Sequence, residues 1–479
     1  MKMLIGGQKV ASSSGEEIRV INPATQELID TIPSATKKDV DRCLANAQQG
    51  KKEWSSVPTY KRAAILKKCA QAILEHEPEL VELLSKESGK PLYVAKNEVH
   101  DAAVKFESYA EKVNHTYGAV MPDVQPGAEK DIVFTRREPL GVVVCITPFN
   151  YPLILATQKI GPALAAGNAV ILKPATDNPL ALIRMCEILL ECGIPGNALQ
   201  VVTGRGPTLG KWLVATPLIN AVSLTGSTEV GVEINNYAAP YLHKVFLELG
   251  GNDAFIIFDD ADLDLAVNEA MTRIYNSGQT CMAPKRFLVQ NGIKDTFVQK
   301  LTEKLAEIVV GNPADEKTQM GSLISEKAAK RVEEQVNLTI KQGAKLMYGG
   351  KRFNHAFYEP TVLVDVTAEM DIARNMEVFG PVFPVIKFAT QEEAVEIANN
   401  SIYGLSGGIF TSDLNKAITT AAALETGTVA INGSGLYSNL EIPFGGYKMS
   451  GIGREGASCS IEDMSQIKNY VLKAVLQND

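Results

Sequence analysis

The chain of 479 residues contains few cysteines and histidines and no long apolar run. Its seven cysteines are odd in number and scattered, none forms a Cys-x-x-Cys pair, and only five histidines are present. A disulfide framework and a zinc site are therefore both disfavoured, and we predict that the protein binds no metal. No stretch approaches the roughly 18 consecutive apolar residues that a membrane-spanning helix requires.

The sequence also lacks an excess of positive charge. The formal net charge of −8 argues against nucleic acid as a partner. The lysine pairs near positions 37, 51 and 67 fall on amphipathic helical patterns, where a solvated helix face is the simpler explanation. The N-terminus has no apolar core long enough for a signal peptide, so we predict a cytoplasmic protein with no membrane partner.

The order of apolar runs predicts an α/β fold. Over residues 140–247, strand-like runs alternate with helical patterns, and residues 248–449 repeat this alternation. Such a rhythm is typical of doubly wound parallel sheets, which bind ligands beyond the carboxyl ends of their strands. The predicted strands are 141–146, 169–173, 199–203, 220–224, 244–247, 254–258, 286–290, 382–388, 408–411 and 427–431. The predicted helices outside the first alternation are 37–54, 60–75, 79–88, 94–109, 293–310 and 325–342.

Cys281 is the candidate nucleophile. A helical pattern over residues 262–275 ends at Ser277-Gly278, and the strand-like run 286–290 begins soon after Cys281. A cysteine on a short turn between a helix and a strand is held rigidly and can still face a cavity. The alternative is a buried small hydrophobe, which describes most free cysteines.

Two further segments offer a base and an oxyanion donor. Glu248 is a single carboxylate in an apolar run just before Gly250 and Gly251, and burying it is costly unless it serves a purpose. Asn150 places a side-chain amide just beyond the strand 141–146. With Cys281, these residues would complete a site for acyl transfer.

These three segments resemble the signature segments of the aldehyde dehydrogenase superfamily. The segment Glu-Leu-Gly-Gly begins at Glu248 and Gly-Gln-Thr-Cys ends at Cys281, 33 residues later, and the likeness extends over about residues 21–472. The resemblance implies a Rossmann-like cofactor domain (1–118 and 139–247) and a catalytic domain (248–449). It also implies an oligomerisation arm with a C-terminal strand (119–138 and 450–479), and hence a homodimer or homotetramer.

The resemblance implies an NAD(P)-dependent, non-acylating enzyme that converts a small-molecule aldehyde to its acid. Cys281 would attack the carbonyl, and the Asn150 amide and the Cys281 backbone N–H would stabilise the oxyanion. Hydride transfer to nicotinamide would leave a thioester, which water activated by Glu248 would hydrolyse. Lys159 and Glu455 match a proton path in the family, although a structural ion pair is the simpler interpretation.

No Gly-x-Gly-x-x-Gly fingerprint follows the predicted strands, and the family lacks one as well. In the family, the segment Gly226-Ser227 contacts the pyrophosphate, Lys173 the adenosine ribose and Glu377 the nicotinamide ribose. A plain helix N-cap is the alternative for Ser227, and a surface turn is the alternative for Glu377. The predicted cofactor-binding residues are Thr147, Pro148, Phe149, Lys173, Thr176, Gly206, Gly226, Ser227, Leu249, Gly250, Glu377 and Phe379.

Thr176 bears on the choice between the two cofactors. Many NAD-preferring relatives carry a glutamate at this position, which binds the ribose 2′-hydroxyl. A carboxylate would repel a 2′-phosphate, whereas a threonine hydroxyl can donate a hydrogen bond to it. Thr176 therefore favours NADP over NAD, unless it merely caps the following helix.

The substrate is the least determined feature. Succinate-semialdehyde oxidisers tend to carry an arginine at the positions of Gln158 and Tyr275, and glyceraldehyde-3-phosphate relatives carry one at the position of Thr280. A small, neutral, hydroxylated aldehyde such as lactaldehyde or glycolaldehyde therefore fits best, with succinate semialdehyde as the alternative. Arg273 or the loop 436–441 could still supply a charge. The predicted pocket residues are Tyr151, Leu155, Gln158, Tyr275, Thr280 and Met282.

The sequence also predicts an oligomerisation arm, and it leaves two other functions to be considered. A hairpin near residues 118–139 would form the arm, unless it is an ordinary surface hairpin, and the strand 466–476 has an edge that a partner subunit could cover. A catalytically silent structural protein would be expected to have lost Cys281 or Glu248. A thioester hydrolase that uses the same two residues would reduce no cofactor.

Overall fold

The computed structural model describes residues 1–437 and 439–476 of the chain. The predictions for the loop 436–441 and for the segment 450–479 therefore fall partly outside the described residues, at position 438 and beyond position 476. Among the described helices, none combines the length and the apolar composition needed to cross a bilayer.

The first half of the chain supplies eleven strands and eight α-helices of the described structure. The strands are β1 Met3–Ile5, β2 Gln8–Val10, β3 Glu17–Ile21, β4 Leu28–Pro33, β5 Val120–Met121, β6 Ile132–Pro139, β7 Val142–Ile146, β8 Ala169–Lys173, β9 Leu199–Val201, β10 Ala221–Thr225 and β11 Lys244–Glu248. The helices are α1 Lys37–Ser55, α2 Thr59–Glu75, α3 Glu77–Ser88, α4 Leu92–Lys112, α5 Pro152–Ala166, α6 Leu180–Glu191, α7 Gly206–Val214 and α8 Thr228–Ala238.

The second half supplies the remaining elements. The strands are β12 Ala254–Ile257, β13 Arg286–Gln290, β14 Lys345–Tyr348, β15 Arg352–Phe353, β16 Phe357–Tyr358, β17 Thr361–Val366, β18 Val382–Phe388, β19 Tyr403–Gly404, β20 Ser406–Phe410, β21 Thr428–Ile431, β22 Tyr447–Lys448, β23 Gly451–Ile452 and β24 Ser465–Leu472. The helices are α9 Leu263–Ala270, α10 Lys294–Ala306, α11 Glu326–Lys341, α12 Gln391–Asn399, α13 Leu414–Ala423 and α14 Ala457–Asp463. Short 3₁₀ helices occupy Val113–His115, Ala239–Tyr241, Met271–Gly278 and Asp371–Ala373.

Two sheets form the framework, as the alternation of apolar runs predicts. The first has the strand order β2-β1-β9-β8-β7-β10-β11-β23, and the second has the order β14-β17-β18-β13-β12-β20-β21. The central strands of both sheets pair in parallel. Strands β7, β8 and β10 are buried along their whole length, because helices cover both faces of a doubly wound sheet. The predicted α/β fold with two parallel sheets is confirmed, whereas the proposed domain boundaries stay a prediction.

The segment 355–361, which the sequence predicts as neither strand nor helix, is not a simple loop. It contains β16, and its last residue begins β17, which lies between β14 and β18 in the second sheet. The register of β17 against β18 shifts between Leu363 and Val366. Asp365 lies at this irregularity with a φ of 56°. The regular alternation of side chains that identifies a strand in a sequence is therefore interrupted within β17.

A third, antiparallel sheet has the order β24-β6-β5. Strands β24 and β6 pair over eight residues, from Ser465 opposite Pro139 to Leu472 opposite Ile132. One edge of the C-terminal strand is therefore covered by the same chain, and the covering of its other edge by a partner subunit stays a prediction. The other edge of β24 has no neighbouring strand in the described part of the chain.

The framework brings the predicted catalytic residues to one region. Asn150 follows β7, and Glu248 is the last residue of β11, directly opposite Thr225 of β10. Cys281 lies between the 3₁₀ helix Met271–Gly278 and β13 of the second sheet. The site is thus assembled from both sheets, at the carboxyl ends of β7 and β11.

Candidate active site

The loop that carries Cys281 is held in an unusual backbone conformation. Asn276 and Ser277 have φ values of 48° and 55°, which few non-glycine residues adopt, and Gly278 follows with a φ of 77°. A Cβ atom on Gly278 would lie 2.2 Å from the carbonyl of Gly380, so only glycine fits there. The loop therefore lies directly against the backbone that follows Glu377.

Side chains of this loop fix it further. The hydroxyl of Ser277 donates to the carbonyl of Gly321 at 2.9 Å, and the side-chain oxygen of Gln279 accepts from the N–H of Ile324 at 2.9 Å. Both side chains are buried. Cys281 itself is half-buried at the end of this fixed loop. Such support keeps a nucleophile in one position before substrate arrives.

Asn150 is positioned through its backbone carbonyl. That carbonyl accepts from the Lys90 ammonium group at 2.8 Å and from the Asn276 side chain at 2.8 Å. Lys90 also pairs with the buried carboxylate of Glu98, and that carboxylate accepts from the N–H of Leu153 at 2.8 Å. The start of α5 and the nucleophile loop are thereby tied together, and sequence reasoning missed both Lys90 and Asn276.

The two predicted oxyanion donors make no hydrogen bond among the described residues. Asn150 is only 4% exposed, and its side-chain oxygen has no hydrogen-bond partner among the described residues. Neither its side-chain N–H groups nor the backbone N–H of Cys281 donate a hydrogen bond within the described structure. Donors without internal partners are available to a developing negative charge.

Glu248 has the environment of a general base. It is 4% exposed, and neither carboxylate oxygen has a hydrogen-bond partner in the described part of the chain. Burial raises the pKa of this carboxyl to about 7, and the negative charge of Glu455 adds to the effect, while Lys159 and the nearby thiol of Cys281 oppose it. A base with a pKa close to neutrality is well matched to proton transfer at neutral pH.

The environment of Cys281 favours the protonated thiol. Burial raises its pKa well above the usual value, and the adjacent Glu248 carboxylate raises it further, while Lys285 lowers it. The ammonium group of Lys285 contacts the carbonyl of Cys281 and lies 3.3 Å from a carboxylate oxygen of Glu377. The thiol proton must therefore be removed when the sulfur attacks, and Glu248 is the neighbouring group that can accept it.

Lys159 and Glu455 form the ion pair that the simpler interpretation expects, with 2.6 Å between nitrogen and oxygen. Lys159 is fully buried, and one oxygen of Glu455 has no hydrogen-bond partner among the described residues. Because both groups influence the pKa of Glu248, they lie in its electrostatic environment. Their part in a proton path stays a prediction.

A large cavity of about 620 Å³ joins the predicted catalytic and cofactor-binding residues. This volume lies within the roughly 300–1,000 Å³ that is usual for ligand sites. Cys281, Glu248 and Asn150 line it together. The predicted cofactor-binding residues that line it are Pro148, Phe149, Gly226, Ser227, Leu249, Gly250, Glu377 and Phe379.

The segment Gly226-Ser227 lines the large cavity at the start of α8. The N–H of Gly226 donates to the carbonyl of Glu248 at 3.1 Å, and the contact of this segment with pyrophosphate stays a prediction. The Ser227 hydroxyl caps α8 by accepting from Val230 N–H, as the alternative interpretation expects. The N-terminus of α8 still opens onto the large cavity at Thr228 and Glu229.

The predicted nicotinamide end is closely packed. A Cβ atom on Gly250 would lie 2.6 Å from a carboxylate oxygen of Glu377, and the N–H of Gly251 donates to the other oxygen at 3.3 Å. The rings of Phe149 and Phe379 meet edge to face with 5.9 Å between their centroids. Glu377 is therefore part of the cavity wall, and the alternative of an isolated surface turn is wrong.

Three predicted cofactor residues cluster at the end of β8, outside the lining of the large cavity. Lys173 is buried, its pKa is lowered to about 8 by burial, and a Cβ atom on Gly206 would lie 3.9 Å from its nitrogen. The Thr176 hydroxyl donates to the carbonyl of Gly204 at 3.1 Å. Helix α6 has no side-chain cap, so the alternative that Thr176 caps it is wrong. Thr147 is buried beside this end, and its N–H donates to the Lys173 carbonyl.

The large cavity has the features that a dinucleotide requires. The hydroxyl of Thr225 is buried in its wall with no partner in the described structure. Lys327 and Arg331 of α11 place two cations on the lining, which the N-terminus of α8 also borders. These groups suit a pyrophosphate, and sequence reasoning missed both cations because they lie on an ordinary amphipathic helix.

A second, small cavity of about 40 Å³ borders the end of the loop that carries Cys281. Met282, the next residue in the chain, borders it, as do Gln158 of α5 and Glu455. It has room for roughly three water molecules. The residues that line it are Lys105, Ser108, Tyr109, Gln158, Met282, Thr428, Tyr437, Asn439, Leu440, Ile442, Phe444, Glu455 and Gly456.

The other predicted pocket residues are distributed around these cavities. Tyr151 lies beneath the Lys90 ammonium group, and its hydroxyl is 3.3 Å from that of Thr280. Leu155 is buried in α5, whereas Tyr275 is 41% exposed. These four residues do not line the small cavity, so their contact with substrate stays a prediction.

Arg273 does not supply a charge to the substrate pocket. It is fully buried, and its guanidinium donates to the carbonyls of Val382, Gly278 and Val378 at 3.1, 3.2 and 2.6 Å. Its role is to fasten the nucleophile loop to the start of β18. No group of three or more potential metal ligands occurs among the described residues.

Comparison with known proteins agrees with the resemblance. The model of the aldehyde dehydrogenase family matches residues 9–470. The chain is 39% identical to glutarate-semialdehyde dehydrogenase of Pseudomonas putida, covering 97% of this chain and 96% of that protein. It is 40% identical to 3-sulfolactaldehyde dehydrogenase of Priestia aryabhattai, with 96% of each covered. Its structure superposes on an NADP-dependent enzyme of Escherichia coli with a TM-score of 0.96 at 37% identity, covering 98% of both chains.

Proposed function

The chain belongs to the aldehyde dehydrogenase family, and on that premise we propose that it oxidises an aldehyde through a thioester on Cys281. The observation that carries this proposal is the shared cavity of Cys281, Asn150 and Glu248. In it, the oxyanion donors and the carboxylate have no hydrogen-bond partners among the residues that the structure describes. The protein is an NAD(P)-dependent enzyme, and the bound cofactor supplies the acceptor for the hydride that leaves the aldehyde carbon.

Acylation begins when the sulfur of Cys281 adds to the carbonyl carbon and the thiol proton passes to Glu248. The carbonyl oxygen gains the negative charge, which the Asn150 amide and the Cys281 backbone N–H stabilise. Loss of hydride from the same carbon restores the carbonyl and leaves a thioester on the sulfur. Glu248 then releases its proton to solvent and is again a base.

Deacylation requires one water molecule. Glu248 removes a proton from this water as its oxygen adds to the thioester carbon, and the thiolate of Cys281 leaves. The product is the carboxylic acid, and the sulfur recovers a proton. Lys159 and Glu455 surround Glu248 with one positive and one negative charge, and we propose that they return its proton to solvent.

The relatives suggest the substrate class. Glutarate-semialdehyde dehydrogenase and 3-sulfolactaldehyde dehydrogenase are named for aldehydes that carry an anionic group at the far end. We therefore place a short aldehyde with a terminal carboxylate or sulfonate first. A neutral, lactaldehyde-like aldehyde is second, because Gln158 and Tyr275 stand where arginines are expected for succinate semialdehyde.

A panel of short aldehydes, assayed with NADP and with NAD, tests this function. We expect reduction of the cofactor together with release of the acid for at least one anionic aldehyde. Hydrolysis of a thioester without reduction of either cofactor would point instead to a hydrolase. If neither reaction occurs with the correctly folded protein, the proposed function is wrong.

Asn150→Ala is expected to lower kcat by roughly 10²–10³-fold, because one oxyanion donor is lost. The loss should appear equally in kcat and kcat/KM, since the donor acts mainly in the transition state. Steady-state rates on the preferred aldehyde measure the effect. Asn114→Ala, at an exposed position after α4, provides the matched control. A kcat within about threefold of wild type would exclude Asn150 from the oxyanion site.

Thr176→Glu is expected to shift the preference from NADP towards NAD by roughly 10-fold or more, because a carboxylate repels a 2′-phosphate. The ratio of kcat/KM with NADP to that with NAD measures the shift. Thr176→Ser retains the hydroxyl and should keep the wild-type ratio. An unchanged ratio in the glutamate variant would show that residue 176 does not face the ribose.

We also propose that the protein is a cytoplasmic homo-oligomer, a dimer or a tetramer. The uncovered edge of β24 carries exposed apolar side chains, Ile467 and Val471 among them. An open strand edge with apolar side chains is suited to pairing with another chain. This edge supports assembly through the arm.

A further inference from the structure

The small cavity contains a cation that has no partner within the fold. Lys105 lies on the inner side of α4, between the buried residues Ala102 and Tyr109, and is itself only half-buried. Its ammonium group makes no hydrogen bond and no ion pair within 4.0 Å among the described residues. By contrast, Lys112, two turns further along the same helix, pairs with Glu441 at 3.2 Å.

Burial of Lys105 has a cost that the nearby carboxylates offset only in part. Burial lowers the pKa of this lysine, and the carboxylates of Glu455 and Asp101 oppose the effect without forming an ion pair with it. A charged group taken out of water is normally paired. An unpaired lysine in the wall of a cavity is therefore suited to an anion that comes from outside.

The other charges of this region form no ion pair with Lys105. Glu455 also lines the small cavity, but one of its oxygens is paired with Lys159 at 2.6 Å. Asp101 is exposed and lies outside the lining, so solvent screens its charge. Among the described residues that line the small cavity, Lys105 is therefore the charge that has no ion-pair partner.

A second group in the same wall also lacks a partner. The side-chain oxygen of Gln158 is buried and accepts no hydrogen bond from the described residues. Gln158 lies on α5, one position before Lys159 and three positions after Leu155. An amide oxygen and an anion are both acceptors, so the N–H groups of the Gln158 side chain are the part that can donate to a bound anion. Met282, which follows the nucleophile in the chain, borders the same cavity.

We propose that Lys105 binds the anionic terminal group of the aldehyde, with the Gln158 side chain beside it in the small cavity. This proposal rests on the proposed function, since it assigns the far end of the substrate of Cys281. Carboxylate and sulfonate present the same charge and similar acceptor oxygens, and the cavity is small enough to require a short chain. Lysine acts here as a point charge and does not require the bidentate geometry of arginine.

Two pairs of aldehydes test the proposal, and each pair differs by the anion. They are succinate semialdehyde with butanal, and 3-sulfolactaldehyde with lactaldehyde. The quantity measured is the ratio of kcat/KM for the anionic aldehyde to that for its neutral counterpart. We expect Lys105→Met to lower this ratio by roughly 10- to 100-fold, mainly through KM, because the contact lies far from the reacting carbon.

Two further variants complete the experiment. Lys105→Arg keeps the charge and should hold the ratio within about threefold of wild type, and Lys112→Met removes a neighbouring charge and should do the same. If Lys105→Met changes the ratio by less than threefold, or if Lys112→Met lowers it equally, the proposal is overturned. A larger effect on the carboxylate pair or on the sulfonate pair identifies the anion.

Failure of this inference is distinguishable from failure of the proposed function. If the wild-type enzyme oxidises the neutral aldehydes but gains nothing from the anion, only the role of Lys105 is wrong. If it oxidises none of the four aldehydes with either cofactor, the function proposed for Cys281 is wrong as well.

Discussion

The Cys281→Ser variant is expected to oxidise aldehydes at under about one hundredth of the wild-type rate. A serine hydroxyl is a much weaker nucleophile than a thiol, and the buried site raises the pKa even of the thiol. The hydroxyl would therefore stay protonated beside Glu248. The rate of cofactor reduction measures the loss. The variant should still bind the reduced cofactor, and the fluorescence of that cofactor measures this binding.

Cys459→Ser is the matched control for this variant. Cys459 and Cys281 are the two half-buried cysteines of the described structure, and Cys459 lines neither cavity. We expect the Cys459→Ser enzyme to keep the wild-type rate within about twofold. Near-normal oxidation by the Cys281→Ser enzyme would refute the assignment of the nucleophile.

The steady-state rate of the Glu248→Gln variant is expected to be roughly 10²–10⁴-fold lower than that of the wild type, because no base would activate the water that hydrolyses the thioester. If the variant still forms the thioester, the first turnover gives a burst of reduced cofactor, about one equivalent per active site. Mass spectrometry of the quenched enzyme should then find the acyl group on Cys281. Glu307→Gln, at an exposed carboxylate after α10, is the control.

The pH dependence gives an independent check on Glu248. Its folded pKa is raised to about 7, and only the deprotonated form acts as a base. The rate of deacylation in the wild-type enzyme should therefore rise as the pH increases through about 7. One pH unit below the pKa, roughly a tenth of the carboxyl groups are deprotonated. A thioester that forms and hydrolyses at the same rate in the glutamine variant would exclude Glu248 as the base.

The sequence predicted the strands of the parallel sheets well. Strands β8, β13 and β18 begin and end at the predicted residues. A strand buried on both faces reads as a continuous apolar run that turn residues delimit. Strand β17 was not predicted, because its register shift and the positive φ of Asp365 interrupt the strand pattern in the middle of its apolar run.

The nucleophile, the base and the oxyanion donor were predicted from local motifs, but the residues that support them were not. Lys90 and Asn276 contact the Asn150 carbonyl from 60 and 126 positions away in the chain. Nothing in a short window reveals such a contact. The available signal for Lys105 was its position among the buried residues of a helix. The periodicity of the helix alone could not predict which cavity this lysine would line.

The two cavities near Cys281 have a consequence for how this scaffold can diversify. The large one presents the predicted cofactor-binding segments, and the small one is built from α4, α5, Tyr437 and residues 439–456, where we propose that the far end of the aldehyde binds. Mutations in the small cavity at positions other than Glu455 can therefore accumulate without changing the lining of the large one. A scaffold divided in this way can acquire a new metabolic role through a few changes in the small cavity.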